Sequence, residues 1–174
     1  PAPERHRRTP GGRVKIARTA DPRIVRKAAR MMAGSDPWLR LGIGYRRCLK
    51  SIRTPSGELH AATQGGILIG IVLITMKGPL KGYIRALCVA PEIRGGGVGR
   101  ELMRQAEARI FGDSRDTFLC VSSFNHGAIK FYRRLGYRRA GLLRDLLVKG
   151  SDELLLRKTI SLIPNAPRAP RPEA

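Results

Sequence analysis

The sequence predicts a single α/β domain built on one mixed sheet with helices on both faces. Three observations predict it. Apolar residues recur with a helical period from Asp21 to Ile52 and with an extended period from Glu58 to Val89. An apolar run, Ile84 to Val89, leads through the glycine-rich turn Gly95-Gly96-Gly97-Val98-Gly99 into an amphipathic stretch that reaches Ile110. A second apolar run, Thr117 to Ser122, leads through Asn125 into another amphipathic stretch, and two extended runs close the chain. The 174 residues show no internal repeat and no second core, and this length is enough for one domain with a full core.

Each element has its own local cause. Val14 to Arg18 reads as a first strand. Asp21-Pro22 supplies an N-cap and a first-turn proline, and Ile24, Val25, Ala28, Ala29 and Met32 then fall on one helix face. Ser35-Asp36-Pro37 repeats that start signal and predicts a short helix carrying Trp38, Leu39 and Leu41; a further helix is expected over Tyr45 to Ile52. Glu58 to Gln64, a Gly65-Gly66 turn and Ile67 to Met76 read as a hairpin. Gly78, Pro79 and Gly82 punctuate the chain before a strand over Tyr83 to Val89. Val98, Leu102, Ala106 and Arg109/Ile110 give the next helix its inward stripe, and Thr117 to Ser122 is the fifth strand. Ala128, Ile129, Tyr132 and Leu135 face inward from the last helix, which Gly136 closes. Tyr137 to Leu147 and Glu153 to Ile160 form the closing hairpin and bring the count to seven strands, mostly antiparallel. Residues 1–13 and 164–174, with clustered Pro, Arg and Gly, read as disordered tails around a domain over 14–163.

Composition narrows the class. Cys48, Cys88 and Cys120 form neither a metal-ligand spacing nor an even disulfide set, so no metal site is expected and a reducing cytoplasm suits the chain. The first 13 residues are polar, basic and proline-rich, without the pattern of a signal peptide. Ile67 to Ile74 is the notable apolar run and is far shorter than the roughly 20 residues that span a bilayer, so no membrane partner is expected. Charge is unusual: 34 Lys and Arg stand against 13 Asp and Glu, a net of +21. The segments 1–13 and 162–174 hold six Arg and two Glu, so +17 lies between them and the basicity belongs to the domain. Such a field attracts polyanions without selecting among them. Zinc spacing, a recognition helix and aromatic-basic RNA motifs are missing from the sequence, so nucleic acid is at most a non-specific partner.

The glycine-rich turn carries the chemistry. A strand, a glycine turn and a helix start, in that order, aim backbone N–H groups and the positive end of a helix dipole at an anion. Glycines let a phosphate approach the main chain and tolerate left-handed dihedrals. No Lys-Ser or Lys-Thr follows, so this is not a P-loop, and Arg100 and Leu102 occupy positions where a dinucleotide fingerprint needs glycine. What remains is Arg94-x-x-Gly97-x-Gly99. Residues 119–137 add Asn125 and, seven residues on, Tyr132 in Phe131-Tyr132-Arg133-Arg134-Leu135-Gly136-Tyr137. Two helical turns put Asn125 and Tyr132 on one face.

These two blocks closely resemble the GNAT superfamily of N-acetyltransferases, over roughly residues 82–142 and more weakly from 14 to 160. The resemblance implies a sheet that splays between its fourth and fifth strands and acetyl-CoA held in the gap. It implies that Leu87, Cys88 and Val89 lend main-chain groups to the pantetheine arm, as an added strand would. It implies that an N–H near Val89 steadies negative charge as a tetrahedral intermediate develops. Arg94, Gly95, Gly96, Gly97, Val98, Gly99 and Arg100 would take the diphosphate, with Arg134 near it, and Asn125 would bond the arm or simply cap its helix. Tyr132 matches the family's general acid. In water a phenol near pKa 10 protonating a thiolate near 8.5 is uphill by only about 2 kcal/mol.

The proton acceptor is not evident. N-terminal protein acetyltransferases of the superfamily often carry Glu on the fifth strand, where this chain has Cys120, and the fourth-strand position of some histone-type members holds Tyr83. Asp36, His60 and His126 are candidate relays, while Glu92 reads as structural and Tyr137 as core. Trp38, Tyr45 and Tyr83 are candidates for the acceptor wall, with core packing as the alternative for each. The expected acceptor is a primary amine of a small molecule or protein, and polyamines fit poorly with so few carboxylates. A domain of this kind works as a monomer or homodimer. The competing reading is a CoA-binding domain without turnover that acts through RNA or ribosome contact.

Overall fold

A computed structural model describes residues 12–160. The elements run β1 (Lys15–Arg18), α1 (Pro22–Ala33), α2 (Tyr45–Ile52), β2 (Gly57–Gln64), β3 (Ile67–Thr75) and β4 (Tyr83–Val89). They continue with a 3-10 turn (Pro91–Ile93), α3 (Val98–Phe111), β5 (Asp116–Ser122), α4 (His126–Arg134), β6 (Arg138–Val148) and β7 (Ser151–Thr159). The seven strands form one sheet in the order β1-β2-β3-β4-β5-β7-β6, antiparallel throughout except between β4 and β5. Of the expected tails at 1–13 and 164–174, all but residues 12 and 13 lie outside the described residues.

Helices cover both faces. On one face α1 and α2 seat Val25, Ala28, Met32, Cys48 and Ile52 against Ile71, Leu73, Ala86 and Cys88. On the other, α3 and α4 seat Leu102, Ala106, Ile110, Ile129 and Tyr132 against Ile69, Val72, Ile74 and Ile84. A strand covered twice has no polar side, which is why β3 reads Ile-Leu-Ile-Gly-Ile-Val-Leu-Ile without alternation. Asp21 caps α1 by accepting from Arg23 N at 2.7 Å, with Pro22 at its first position. Gly65 and Gly66 both have positive φ, as a two-residue hairpin turn requires.

The helix expected at 35–41 does not form. Leu39 N–H donates to Ser35 O and Leu41 N–H to Pro37 O, but no Arg40 bond joins them into a helical ladder, and Gly42 at φ +66° turns the chain away. The segment is a set of turns laid over the mouth of the sheet, with the Arg40 guanidinium 4.3 Å above the Phe124 ring.

Two devices on β4 open the sheet at one end. Gly82 fastens the closed end: its N–H donates to Thr75 O, while its carbonyl accepts from Thr117 Oγ1 at 2.9 Å and Phe118 N at 3.2 Å. Beyond it β4 and β5 pair only at Tyr83↔Phe118 and Ile84↔Leu119. The register with β3 then slips, Leu73 facing Ala86 and Ile74 facing Ile84, so Arg85 is the extra residue of a β-bulge. The faces confirm it. Ile84 sits in the α3–α4 core and Ala86 in the α1–α2 core, although residues two apart on a regular strand share a face. The bulge bends β4 away from β5 where the gap begins.

Gly82 is therefore a sensitive position. Its φ is +81°, and an added Cβ would lie 2.6 Å from Ile110 Cγ2 and 2.7 Å from Asp116 O. Gly82→Ala is expected to cost about 2–5 kcal/mol from the left-handed backbone and the overlap together. Urea unfolding should show a lower midpoint at unchanged slope, and a loss below about 1 kcal/mol would contradict this close approach.

Candidate active site

A cleft of about 880 Å³ occupies the gap between β4 and β5. Its floor is main chain. Ala90 N–H donates to Ile69 O on β3, so by strand alternation Cys88 also turns its N–H and C=O to β3 while Leu87 and Val89 turn theirs to the gap. The Val89 carbonyl is already taken by Arg94 Nε at 3.1 Å. Of the three expected main-chain partners, Leu87 and Val89 are thus free to act, whereas Cys88 lines the cleft but has its amide in the sheet.

At one end lies the glycine turn. Gly95 and Gly97 have φ of +86° and +84°, and a Cβ built on either meets nothing within 4 Å, so their inner surface is open. Gly96 N–H bonds back to Ile93 O and Glu101 N–H to Gly97 O. Among the described residues, the N–H groups of Gly95, Gly97, Val98, Gly99 and Arg100 have no backbone acceptor. Five donors at a helix N-terminus, with Arg94, Arg100 and Arg134 on the cleft wall, fit a diphosphate in number and sign. Gly96 is in the turn but not on the cleft wall.

Farther in, Asn125 caps α4 by accepting from Ala128 N at 3.2 Å. Its amide NH₂ is left for the cleft, so the capping and ligand roles are compatible. About two α4 turns on, Phe131 and Tyr132 reach the cleft wall. The Tyr132 ring packs edge-on against Phe131 (centroids 5.3 Å apart) and Tyr137 (5.8 Å). Burial pushes the Tyr132 phenol above its ordinary range, and the Cys88 thiol adds to the shift. Tyr137, fully buried, is core as expected.

The opposite mouth is framed by Asp36, Pro37, Trp38 and Leu41 from the 35–43 turns and by Leu147 from β6. Arg47 of α2 donates to Leu147 O at 3.2 Å and so joins α2 to β6. Trp38 lines the cleft and also packs against the α1–α2 core. Tyr45 and Tyr83 do not line it: Tyr45 packs on the α1–α2 core beneath the Arg30 guanidinium, and Tyr83 is at the closed end of the gap beside Cys120. Of the candidate relays only Asp36 lies on the cleft; His60 is buried on β2 near Glu58, and His126 is exposed at the start of α4.

The sequence profile of the Acetyltransferase (GNAT) family matches residues 26–137. The chain belongs to that family. This GNAT acetyltransferase is 28% identical over 147 residues to the N-alpha-acetyltransferase RimI of Mycobacterium tuberculosis, covering 82% of this chain and 89% of the relative. Its fold matches an aminoglycoside 6'-N-acetyltransferase complexed with coenzyme A at TM-score 0.72 and 17% identity, over 87% of this chain and 99% of that one. It also matches the ribosomal-protein-S18-alanine N-acetyltransferase of Escherichia coli at TM-score 0.69 and 17% identity, over 90% and 100%.

One site residue of this GNAT domain was hidden from sequence reasoning. Glu153, at the start of β7, is 2% exposed and lines the cleft. Ser122 Oγ donates to its Oε1 at 2.6 Å. Burial raises the Glu153 carboxyl above the ordinary carboxylate range, against the Ser122 hydrogen bond, which lowers it. Only the pairing Ser122↔Glu153 between distant strands brings it here. Ser122 and Arg85, the extra residue of the bulge, are further unforeseen polar groups on the cleft.

Proposed function

We propose that this acetyltransferase moves the acetyl group of acetyl-CoA to the free α-amine of a peptide chain, with Tyr132 as the general acid. The observation that carries it is one continuous cleft. It joins five free N–H groups at the glycine turn to the Leu87 and Val89 main chain and the Tyr132 side chain. Acetyl-CoA, the acetyl donor, supplies a thioester whose carbonyl carbon is open to attack by an amine.

The Gly95, Gly97, Val98, Gly99 and Arg100 amides would hold the diphosphate, and the Leu87 and Val89 main chain would hydrogen-bond the pantetheine amides. Tyr132 keeps its proton at every working pH because burial opposes its ionisation, so it is ready to give that proton to the leaving sulfur. Direct transfer is favoured over an acyl-cysteine route. Burial raises the thiols of both cleft cysteines, Cys88 and Cys120, which keeps them protonated and poorly nucleophilic.

The acceptor follows from charge. Arg94, Arg100 and Arg134 face the diphosphate, which leaves Arg85 against Asp36 and Glu153 at the acceptor end, a setting for one positive charge and a poor one for a polycation such as an aminoglycoside. A peptide N-terminus brings one charge and an extended main chain, and the RimI relative is named for that chemistry. The test is CoA release over a panel of peptides. Peptides with a free N-terminus should react, the same peptides with a blocked N-terminus should not, and aminoglycosides should be at least tenfold slower. Release with aminoglycosides but not with peptides would overturn the acceptor assignment.

A further inference from the structure

Glu153 is a buried carboxylate in the cleft to which the role of Tyr132 gives no work. It lies opposite Ser122 in the antiparallel register of β5 and β7, and Ser122 is itself 1% exposed. Ser122 Oγ holds Oε1 at 2.6 Å, while Oε2 has no hydrogen-bond partner among the described residues. The side chain forms part of the cleft wall. Ser122 occupies Oε1, and Oε2 is left open to the cleft, where an arriving donor can meet it. In a domain of net positive charge no arginine or lysine among the described residues pairs with it, although basic side chains outnumber acids on the cleft wall.

We propose that Glu153, positioned by Ser122, takes the proton from the incoming amine. Cys120 and Ser122 lie two residues apart on β5, on the face opposite Leu119 and Val121, which sit in the α3–α4 core. Glu153 therefore faces the α1–α2 side of the sheet, the side where Asp36 and Trp38 frame the mouth. Tyr132 comes from α4 on the other side. The two proton-handling groups thus flank the gap, one toward the acceptor entrance and one toward the leaving sulfur. The titratable groups facing Glu153 are Cys120 from β5 and Tyr83 from β4, both neutral in this setting; Arg85 and Asp36 share the cleft wall.

The step balances as follows. Oε2 takes one proton from the ammonium nitrogen, and the freed lone pair forms the bond to the acetyl carbon. The carbon–sulfur bond breaks with its electron pair left on sulfur. Tyr132 gives sulfur its phenolic proton and regains one from nitrogen as the amide forms. Glu153 then releases its proton to water, so the net products are amide, thiol and one proton. An amine near pKa 8, typical of an α-amino group, is already partly neutral at pH 7, so a carboxyl poised above its usual range needs to do little.

This inference rests on the acetyltransferase reading above and is tested separately from its acceptor. Glu153→Gln should lower kcat with a peptide amine by about tenfold at pH 7 and about a hundredfold at pH 6, the scarcity of free amine below a pKa near 8. Acetyl-CoA affinity by calorimetry should stay within about twofold. The deficit should shrink as pH rises past the amine's own pKa, because free amine needs no acceptor for its proton. In the Glu153→Gln background, Cys120→Glu returns a carboxylate to the same wall and should recover most of that loss. A readout independent of turnover is carboxyl ¹³C NMR: the resonance lost in Glu153→Gln should titrate above the ordinary glutamate range. Turnover within about threefold of the parent, a deficit that ignores pH, or titration in the ordinary range would each overturn the proposal. If no peptide releases CoA from the parent protein, the acceptor assignment falls. Glu153 is then judged by its titration and by the amine that the parent does use.

Discussion

Gly97→Val should remove acetyl-CoA binding, lowering affinity at least about 100-fold in calorimetry, while Gly99→Ala changes it by less than about threefold. Gly97 sits at φ +84°, a conformation that costs an L-residue about 1–2 kcal/mol and a β-branched one more. The strain would be relieved by rotating the Gly97 and Val98 amides out of the donor nest. A hydrogen bond to a charged phosphate contributes about 1.5–3 kcal/mol, so losing two of them accounts for a hundredfold or more. Nothing in the protein crowds an added Cβ at Gly97, so a valine side chain would stand in the space the diphosphate needs. Gly99 is different. It is within α3, and its Cβ would touch Phe131 Cζ and Val89 Cγ2 at 3.6 Å, an ordinary contact. Equal affinity in Gly97→Val and the parent would contradict the phosphate-loop assignment.

The same contrast shows which parts of the site the sequence could declare. The glycine turn, Asn125 and Tyr132 belong to local grammar: strand, turn, helix start, and a seven-residue spacing along one helix. The parallel pairing of β4 with β5 sets the two blocks side by side, and the cleft runs past all of them. The limits of β4 were legible for a similar reason, since Gly82 stands just before it and Pro91 just after it. The bulge at Arg85 was not. It is a property of the β3–β4 register, and no single residue encodes it. Glu153 was missed on the same ground, because its meaning depends on facing Ser122 across two strands 31 residues apart. The segment at 35–41 failed in the other direction. Asp36-Pro37 carries a helix start signal, but only Leu39 and Leu41 find a partner four residues back, and the chain is held instead by Phe124 and the cleft mouth. Tyr45 was misplaced because an aromatic at a helix start has the same signature whether it faces a substrate or the next helix.

Tyr132→Phe should lower turnover by roughly 10²–10³-fold while leaving acetyl-CoA affinity and thermal stability nearly unchanged. The ring is what packs. Its edge-on contacts with Phe131 and Tyr137 survive the loss of one oxygen. The hydroxyl is what works. Burial raises its pKa, and taken alone that makes proton donation harder than the roughly 2 kcal/mol expected in water. The leaving thiolate is desolvated in the same cleft, however, so its basicity rises with the phenol's, and the gap between them stays near that value. An uphill transfer of that size does not limit an enzyme. The raised phenol also leaves a mark on stability. Folded Tyr132 holds its proton more tightly than unfolded tyrosine does, so its contribution is intact below about pH 10 and is lost as pH rises from there toward the folded pKa. Tyr132→Phe should remove part of that alkaline loss, and buried Tyr137, also raised by desolvation, should supply the remainder. Turnover equal to the parent's across the pH series would take Tyr132 out of the chemistry and leave its ring as packing alone.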